Sequence, residues 1–474
     1  MATITNHVND TICAIATPAG SGGIAVIRVS GSNAIQLCDT IFAARNRNKT
    51  LTTQPANTTL YGHIYDNNEI IDEVVCTTFR APHSFTGQDT IEIACHGSQY
   101  IQQRIITLLL SAGCRLAEPG EYTRRAFASG RIDLSQAEAV ADLIAATSAA
   151  AHRLAINQMR GQFSQRLAQL RLQLLEFVSL IELELDFSEE DVQFADRTRL
   201  NNLTQEIKQE IQRLTQSFAV GNAIKNGIPV AIVGETNAGK STLLNRLVHD
   251  ERALVSNIHG TTRDVIEDTI TLGGTLFRFI DTAGIRDTND TIESMGIERT
   301  FNKLQQCEIA IWLIDSTTPT QQIEELSQRI IPQSLDKQLI IAFNKADLID
   351  PTQQHTIQTL AQQLAARHPH ATPLYLSAKN DTGIDTLEHK LIETAHIPTT
   401  EGNDIIVTNA RHHNALQQAL EAINRVADGL ANNIPTDFVA QDIRETMHHL
   451  GEITGEISTD DILGSIFSRF CIGK

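Results

Sequence analysis

The chain has 474 residues, 41% of them hydrophobic, which is material for about three domains with their own cores. No apolar stretch approaches the roughly 18 residues of a membrane span, and no basic segment followed by an apolar one opens the chain, so neither stable membrane association nor secretion is expected. A net charge of −18 excludes a general nucleic-acid surface, and seven scattered cysteines without a Cys-x-x-Cys pair fit thiols in a reducing cytoplasm and disfavour zinc.

Residues 1–122 read as a mixed α+β domain, with strands at 25–29 and 90–95 and a helix at 101–110 ended by Gly113. From Asp133 the chain turns helical, and Asp133 with Gln136 fits a capping box. Residues 123–222 form the first part of a helical domain, with apolar stripes at Leu167, Leu170, Leu174, Phe177, Ile181 and Leu185, then Leu203, Ile207, Ile211, Leu214 and Phe218. The acidic cluster of Glu182, Glu184, Asp186, Glu189, Glu190 and Asp191 reads as a solvated turn and helix end rather than a metal site. Val220-Gly221-Asn222 reads as an exposed linker into a separate domain at 223–396, and Ile397-Pro398-Thr399-Thr400 as the linker out.

That domain is α/β. Near-continuous apolar strands at 228–233, 276–280, 309–314 and 339–343 fit a parallel sheet covered on both faces. The first strand runs into Gly234-Glu235-Thr236-Asn237-Ala238-Gly239-Lys240-Ser241 and a helix beginning near Thr242, the setting of a phosphate-binding loop. Lys240 reaches the β- and γ-phosphates in such a loop, and the Ser241 hydroxyl ligates Mg²⁺. Asp281-Thr282-Ala283-Gly284 suits a magnesium-side carboxylate and a γ-phosphate-sensing amide. Asn344-Lys345-Ala346-Asp347 supplies a carboxylate that pairs with guanine N1–H and its amine, a donor pair adenine lacks. Ser377-Ala378-Lys379 supports the base from the other side. Alone, each triplet is an ordinary strand-end turn; together and in register they imply a Ras-like P-loop GTPase domain. Between Lys240 and Asp281 lies the first switch, with Gly260-Thr261-Thr262-Arg263-Asp264, where Thr262 is the choice for Mg²⁺; Ser256, Asn257, Ile258 and His259 are counted with it as GTP-binding. Ile285-Arg286 replaces the water-orienting Gln common in small GTPases, leaving Arg286, Asp287 and Glu293 as candidates.

Residues 397–474 give a further stripe, Ala415, Leu416, Leu420, Ile423, Val426 and Leu430, continued by Phe438, Ile443, Met447 and Leu450. With no second core to join, these helices complete the bundle begun at 123–222, so the GTPase domain is inserted in it. One imidazole of each pair, His412-His413 and His448-His449, is expected to face solvent, because helix neighbours point about 100° apart.

Asn237 in the loop, Gly-Thr-Thr-Arg-Asp at 260–264 and the missing Gln resemble the bacterial tRNA-modification GTPases of the MnmE (TrmE) family. So do the opening at 16–31, Ala-Thr-Pro-Ala-Gly-Ser-Gly-Gly-Ile-Ala-Val-Ile-Arg-Val-Ser-Gly, and Pro-Gly-Glu-Tyr-Thr-Arg-Arg-Ala-Phe at 119–127. Asp-Leu-Ser-Gln-Ala-Glu-Ala at 133–139 and the tail Phe470-Cys471-Ile472-Gly473-Lys474 extend the resemblance over essentially the whole chain. Thr236 departs from it, standing where that family usually has Pro.

The resemblance implies that residues 1–122 bind a tetrahydrofolate derivative (5-formyl- or methylene-tetrahydrofolate) and pair two copies into a homodimer. Arg28, Glu92, Arg131 and Lys474 match the folate-contacting positions; the alternative reading of Arg28 and Glu92 is a strand-to-strand ion pair. K⁺ is implied at Asn237, Ser256, Ile258 and Thr261, the bland alternative being an Asn that braces its loop by hydrogen bonds. Glu293 matches the catalytic position, with Arg263 and Asp264 beside it in the catalytic set. Cys471 is otherwise a small buried hydrophobe, but the resemblance places it near the one-carbon unit, in a tail with Phe470 and Ile472 as apolar anchors. The implied reaction adds a carboxymethylaminomethyl-type group to C5 of the wobble uridine (position 34) of certain tRNAs, in a heterotetramer with an FAD- and NADH-using protein (MnmG). That partner is expected to supply most tRNA phosphate contacts. Ribosome-assembly GTPases are the rival reading, but the chain has one P-loop and no KH-type Gly-x-x-Gly domain after it. A regulatory scaffold, the other rival, would hydrolyse GTP without folate or tRNA modification.

Overall fold

Strict alternation builds the first sheet. In the computed structural model, which describes residues 10–186, 197–249, 268–280, 304–395, 405–432, 434–468 and 470–473, seven strands precede the helical region. They are β1 (Ile12–Ile15), β2 (Gly22–Ser30), β3 (Phe42–Ala44), β4 (Thr58–Asp66), β5 (Glu69–Phe79), β6 (Thr90–Gly97) and β7 (Arg115–Leu116). Their order is β3-β4-β5-β6-β2-β1-β7, antiparallel except for the β1–β7 pair. Helices α1 (Ala34–Ile41) and α2 (Gln99–Ala112) contribute Ile35, Cys38, Ile105 and Leu109 to a core shared with Ile27, Val29, Ile91 and Ile93. The period of two then puts Arg28 and Glu92 on the opposite face, directly across from each other in the β2–β6 register. Gly113 ends α2 in the left-handed conformation, as its sequence predicts.

Helix α3 (Glu121–Ala128) runs through the expected boundary at residue 122. Its Glu121 and Arg125 are 1% and 3% exposed. Glu121 accepts from Arg115 at 2.6 Å, from Arg125 at 2.9 Å and from the Glu118 amide at 2.8 Å. Arg115 also holds Asp10 at 2.7 Å, so the four charges lock α3 against β1 and β7. The 119–127 motif is therefore a docking device: its charges are buried because each is paired.

Next come α4 (Leu134–Ala145), α5 (Ala149–Met159), α6 (Gln162–Asp186), α7 (Arg197–Gln216) and α8 (Phe218–Asn226). The capping box is present: the Gln136 amide donates to Asp133 Oδ1 and the Asp133 amide to Gln136 Oε1, both at 2.9 Å. The exposed linker read at Val220-Gly221-Asn222 is instead the middle of α8. Gly221 is buried there, and a Cβ on it would lie 2.1 Å from the Val407 carbonyl; its glycine marks a close approach, not a flexible joint. Of the acidic cluster, Glu182 pairs with Arg444, while Glu189, Glu190 and Asp191 and the side chains of Glu184 and Asp186 lie outside the described residues. So does the linker at Ile397, Pro398, Thr399 and Thr400.

The second sheet comprises β8 (Ile228–Val233), β9 (Asp268–Leu272), β10 (Thr275–Phe279), β11 (Ile309–Asp315), β12 (Gln338–Asn344) and β13 (Ala371–Tyr375). Its order is β13-β12-β11-β8-β10-β9, parallel except for β9. Helices α9 (Lys240–His249), α10 (Thr320–Gln333), α11 (Pro351–Ala365) and α12 (Ile384–Thr394) alternate with its strands. Val230, Ile232, Ile311 and Leu313 pack with Leu243, Leu247, Leu387 and Leu391 on one face. Their neighbours Ala231, Val233, Trp312 and Ile314 pack with Ile323, Ile330, Ile357 and Leu364 on the other. Burial on both faces is why these strands are apolar throughout.

Helices α13 (Ala410–Ala431), α14 (Thr436–Thr454) and α15 (Asp460–Phe467) close the chain. α14 packs on α6, and Arg171 Nε donates to the Met447 carbonyl at 3.2 Å. Its buried stripe is Val439, Ile443, Thr446 and Leu450, which leaves Phe438 56% exposed, one helical position off the stripe expected to bury it. The chain forms two compact units, one of residues 1–144, 156–208 and 418–474, the other of 145–155 and 209–417. Among the described residues no helix is long and apolar enough to cross a membrane.

Burial pushes the Glu121 carboxyl up, but Arg115, the Glu118 amide and Arg125 outweigh it and hold it below its ordinary value. A depressed folded pKa stabilises above the unfolded pKa, and that stability is lost as pH falls through the folded one. Glu121→Gln should cost roughly 2–3 kcal/mol at pH 7, discounted for the half-exposed Arg115. Thermal unfolding from pH 7 to pH 3 should show the parent converging on the variant below about 4.5, the ordinary carboxyl value; a gap constant across that range would contradict the network.

Candidate functional site

Three of the sequence motifs lie at one end of the second sheet, because residues 234–241 follow β8, Asn344 ends β12 and residues 377–379 follow β13, all parallel strands. Asn344, the last residue of β12, organises them. Its buried amide donates from Nδ2 to the Ala238 carbonyl at 2.8 Å, and its Oδ1 accepts from the Ala378 amide at 3.0 Å. One side chain thus ties the loop at 234–241 to the segment at 377–379. Gly239 has φ +99°, and a Cβ there would come within 2.3 Å of Asn344 Nδ2, so this approach requires glycine.

Lys240 and Ser241 open α9, and the positive end of a helix dipole favours an anion there. Lys240 Nζ donates to the Gly234 and Glu235 carbonyls, each at 2.7 Å, and so spans the loop mouth. Asn237 is left-handed at φ +67°, a conformation Asn tolerates. Its side chain is exposed and makes no hydrogen bond among the described residues, so the loop-bracing alternative finds no partner. Ala238 is buried, Ser241 half-buried and Thr242 exposed at the loop rim. Arg246 of α9 holds Asp381, just past Lys379, at 2.6 Å.

Past the end of β12, Lys345 is left-handed at φ +60° and precedes a 3₁₀ turn, Ala346–Leu348, which presents an exposed Asp347. The Ser377 hydroxyl, with the Asp347 amide and the Lys379 charge, keeps the Asp347 carboxyl below the usual range. Ser256, Asn257, Ile258, His259, Gly260, Thr261, Thr262, Arg263 and Asp264 lie outside the described residues. The same holds for Asp281, Thr282, Ala283, Gly284, Arg286, Asp287 and Glu293.

A second constellation lies on the first sheet. Arg28 Nε donates to Glu92 Oε1 at 2.9 Å, and Nη2 sits 2.8 Å from the same carboxylate. Its Nη1 donates to the Gly473 carbonyl at 3.3 Å, so the tail closes onto the pair. The guanidinium lies 5.6 Å from the ring centre of buried Tyr122, whose hydroxyl donates to the Arg28 carbonyl at 2.7 Å. Tyr122 escaped the sequence reading; only its place in the 119–127 motif marked it.

Gly473, at φ +98°, is seated so close to Ile15 that a Cβ would lie 2.5 Å from its carbonyl. The Gly120 amide donates to the Cys471 carbonyl at 3.4 Å, and Phe470 packs with Leu134, Ala137, Leu463 and Phe467. The expected second anchor, Ile472, is 60% exposed, because backbone contacts at 471 and 473 hold the tail instead. Cys471 is exposed, whereas the other six cysteines are buried, which removes the small-hydrophobe reading. Arg131 is exposed after α3 and no hydrogen bond or ion pair joins it to Arg28 or Glu92; Lys474 lies outside the described residues.

The histidine pairs resolve differently. His412 is buried and His413 stacks on Phe218 at 4.3 Å, so neither is exposed as expected. His448 is exposed and His449 half-buried, with both rings turned to Glu452 at 3.4 and 3.2 Å; the three ligand atoms lie within 4.8 Å of one another.

Two protein-family models match the chain: the MnmE helical domain over residues 134–471 and the GTP-binding protein TrmE N-terminus over residues 11–131. A tRNA modification GTPase MnmE of Bacteroides thetaiotaomicron is 58% identical over 465 residues, covering 98% of this chain and 99% of its own. Proteins of the same name from Bacteroides fragilis and Christiangramia forsetii are 57% and 50% identical, each over 98% of this chain and at least 99% of their own.

Asn344→Ala leaves the Ala238 carbonyl and Ala378 amide without their buried partner, a loss of about 1–3 kcal/mol. The chain's single tryptophan, Trp312, is buried in β11 and reports this sheet's unfolding by fluorescence. Its urea midpoint should fall in the variant; an unmoved midpoint would show that Asn344 does not hold the loops.

Proposed function

The chain belongs to the MnmE family of tRNA-modification GTPases, and from that membership we propose that it acts with an FAD- and NADH-using partner (MnmG) on the wobble uridine, position 34, of certain tRNAs. It hydrolyses GTP in the service of tRNA modification. In the proposed reaction a carboxymethylaminomethyl group is added to C5, with a tetrahydrofolate derivative supplying the one-carbon unit. The tail docked on the first sheet is the observation that carries this reading. It brings the Gly473 carbonyl to the Arg28–Glu92 pair and leaves a single exposed thiol two residues away.

The residues fit their proposed groups. Glu92 can accept a pterin ring N–H and amine, at the cost of its contacts with Arg28, while Arg28 keeps the tail in place. Arg131 and Lys474 would meet the anionic remainder of the folate. In the GTPase domain, taken as 223–396 between helical parts 123–222 and 397–474, Asp347 reads guanine and Lys345 lines the base. Lys240 leaves its two loop carbonyls for phosphate, an exchange that favours the nucleotide because charge-assisted bonds to phosphate are stronger. Ser241 and Thr262 would hold Mg²⁺. Asn237, whose side chain makes no hydrogen bond among the described residues, would hold K⁺ with Ser256, Ile258 and Thr261, adding positive charge beside the phosphates. Glu293 would orient the attacking water, with Arg263 and Asp264 in the same catalytic set. The 1–122 region would pair two copies of the chain in the cytoplasm, each bound to one MnmG, and the net charge of −18 leaves most tRNA phosphates to that partner.

Cys471→Ser conserves size and leaves the tail's backbone contacts alone. In a strain lacking the chromosomal copy, the parent chain should restore the modified wobble nucleoside and the variant should not, while both retain equal GTP turnover. Full modification by the variant would remove Cys471 from the chemistry. Absence of the nucleoside from strains with and without the parent would refute the reaction itself.

A further inference from the structure

Asp315 belongs to none of the nucleotide motifs, yet its carboxylate joins them. It ends β11, opposite Asn344 in the parallel register. Oδ2 lies 2.6 Å from Lys345 Nζ, while Oδ1 accepts from the Thr317 amide at 2.9 Å and the Thr317 hydroxyl at 2.7 Å. With each oxygen engaged by a different group, the carboxylate cannot rotate freely. The next residue, Ser316, donates its amide to the Asn344 carbonyl at 2.9 Å. Further on, Gln322 of α10 donates to the Glu235 carboxylate of the phosphate loop at 2.7 Å. The segment 315–322 therefore braces the guanine motif at one end and the phosphate loop at the other.

The strain at Lys345 explains why a brace is needed. A left-handed backbone costs a lysine about 1–2 kcal/mol, so it persists only where its surroundings over-determine it. The Leu348 amide closes the turn on the Lys345 carbonyl at 3.0 Å, and the ion pair holds the side chain. Lys345 and Asp315 side chains are 32% and 18% exposed, so the pair is shielded more than a free surface pair. Asp347 follows two residues later on the same turn.

We propose that Asp315 is a positioning residue for guanine recognition, holding Lys345 in the left-handed turn that aims Asp347 at the base. The proposal rests on the reading of Asn344–Asp347 as the guanine-contacting motif.

Asp315→Asn keeps an acceptor for Thr317 and removes the charge facing Lys345. Fluorescent GDP is titrated with Mg²⁺ into the full chain, the variant, Lys345→Ala and the double variant. The single change should weaken binding about tenfold, the scale of a coupled contact pair. Binding stoichiometry and the Trp312 unfolding midpoint should stay those of the parent, and hydrolysis should show a raised KM with kcat nearly unchanged. In the Lys345→Ala background the second change should add nothing. Asp315→Glu restores the charge and should recover most of the affinity; should Asp315→Asn fail to fold, Asp315→Glu, expected to bind nearly as the parent, and Lys345→Ala, expected to lose about tenfold, decide. Unaltered affinity in Asp315→Asn, a further tenfold loss without Lys345, or no recovery with Glu would each overturn the proposal. Failure of the parent to bind GDP would instead condemn the reading of the motif.

Discussion

Arg28 is the point on which the first sheet's proposed chemistry depends. A guanidinium offers five donors in a rigid plane, and here two edges are used for different parts of the chain. Nε and Nη2 face Glu92 on the neighbouring strand, and Nη1 faces the tail carbonyl of Gly473. Tyr122 closes the ring face and fixes the Arg28 carbonyl from below. Tyr122 is itself held because α3 is locked by Glu121 and Arg125 against Asp10 and Arg115. A buried ion network, an aromatic shelf and a surface arginine thus form one line of support, each member placed by the one beneath it.

The end of the second sheet at Asn344 is built on a similar economy. Asn344 alone carries two hydrogen bonds to two loops that are 106 and 34 residues away in sequence. Side chains that serve several loops at once make a site rigid, since no loop can move without breaking another's contact. They also concentrate risk, which is why Gly239 has no latitude for a side chain.

Much of this was legible in the sequence wherever local chemistry decides. The doubly covered strands follow from short patterns whose physical need is local. The Asp133–Gln136 box and the Gly113 stop were legible for the same reason. What was missed depended on distant partners. Gly221 looked like a hinge because glycine serves both hinges and close approaches, and only the passage of Val407 decides between them. Phe438 and Ile472 looked like anchors because apolar character says nothing of phase or of backbone contacts that anchor in their stead. Asp315 gave no signal, since an Asp at a strand end is ordinary until Lys345 is found beside it. For Arg28 and Glu92, the ion-pair reading is the one the structure shows, and the ligand reading stays a proposal.

The central claim is that Arg28, Glu92 and the docked tail form one folate site. Calorimetric titration of 5-formyl-tetrahydrofolate into the full chain, Glu92→Ala and a chain ending at Phe470 tests it most directly. The account predicts one site per chain in the parent, no measurable binding in Glu92→Ala and at least tenfold weaker binding without the tail, with GDP binding intact throughout. Parental folate affinity in both altered chains would contradict it.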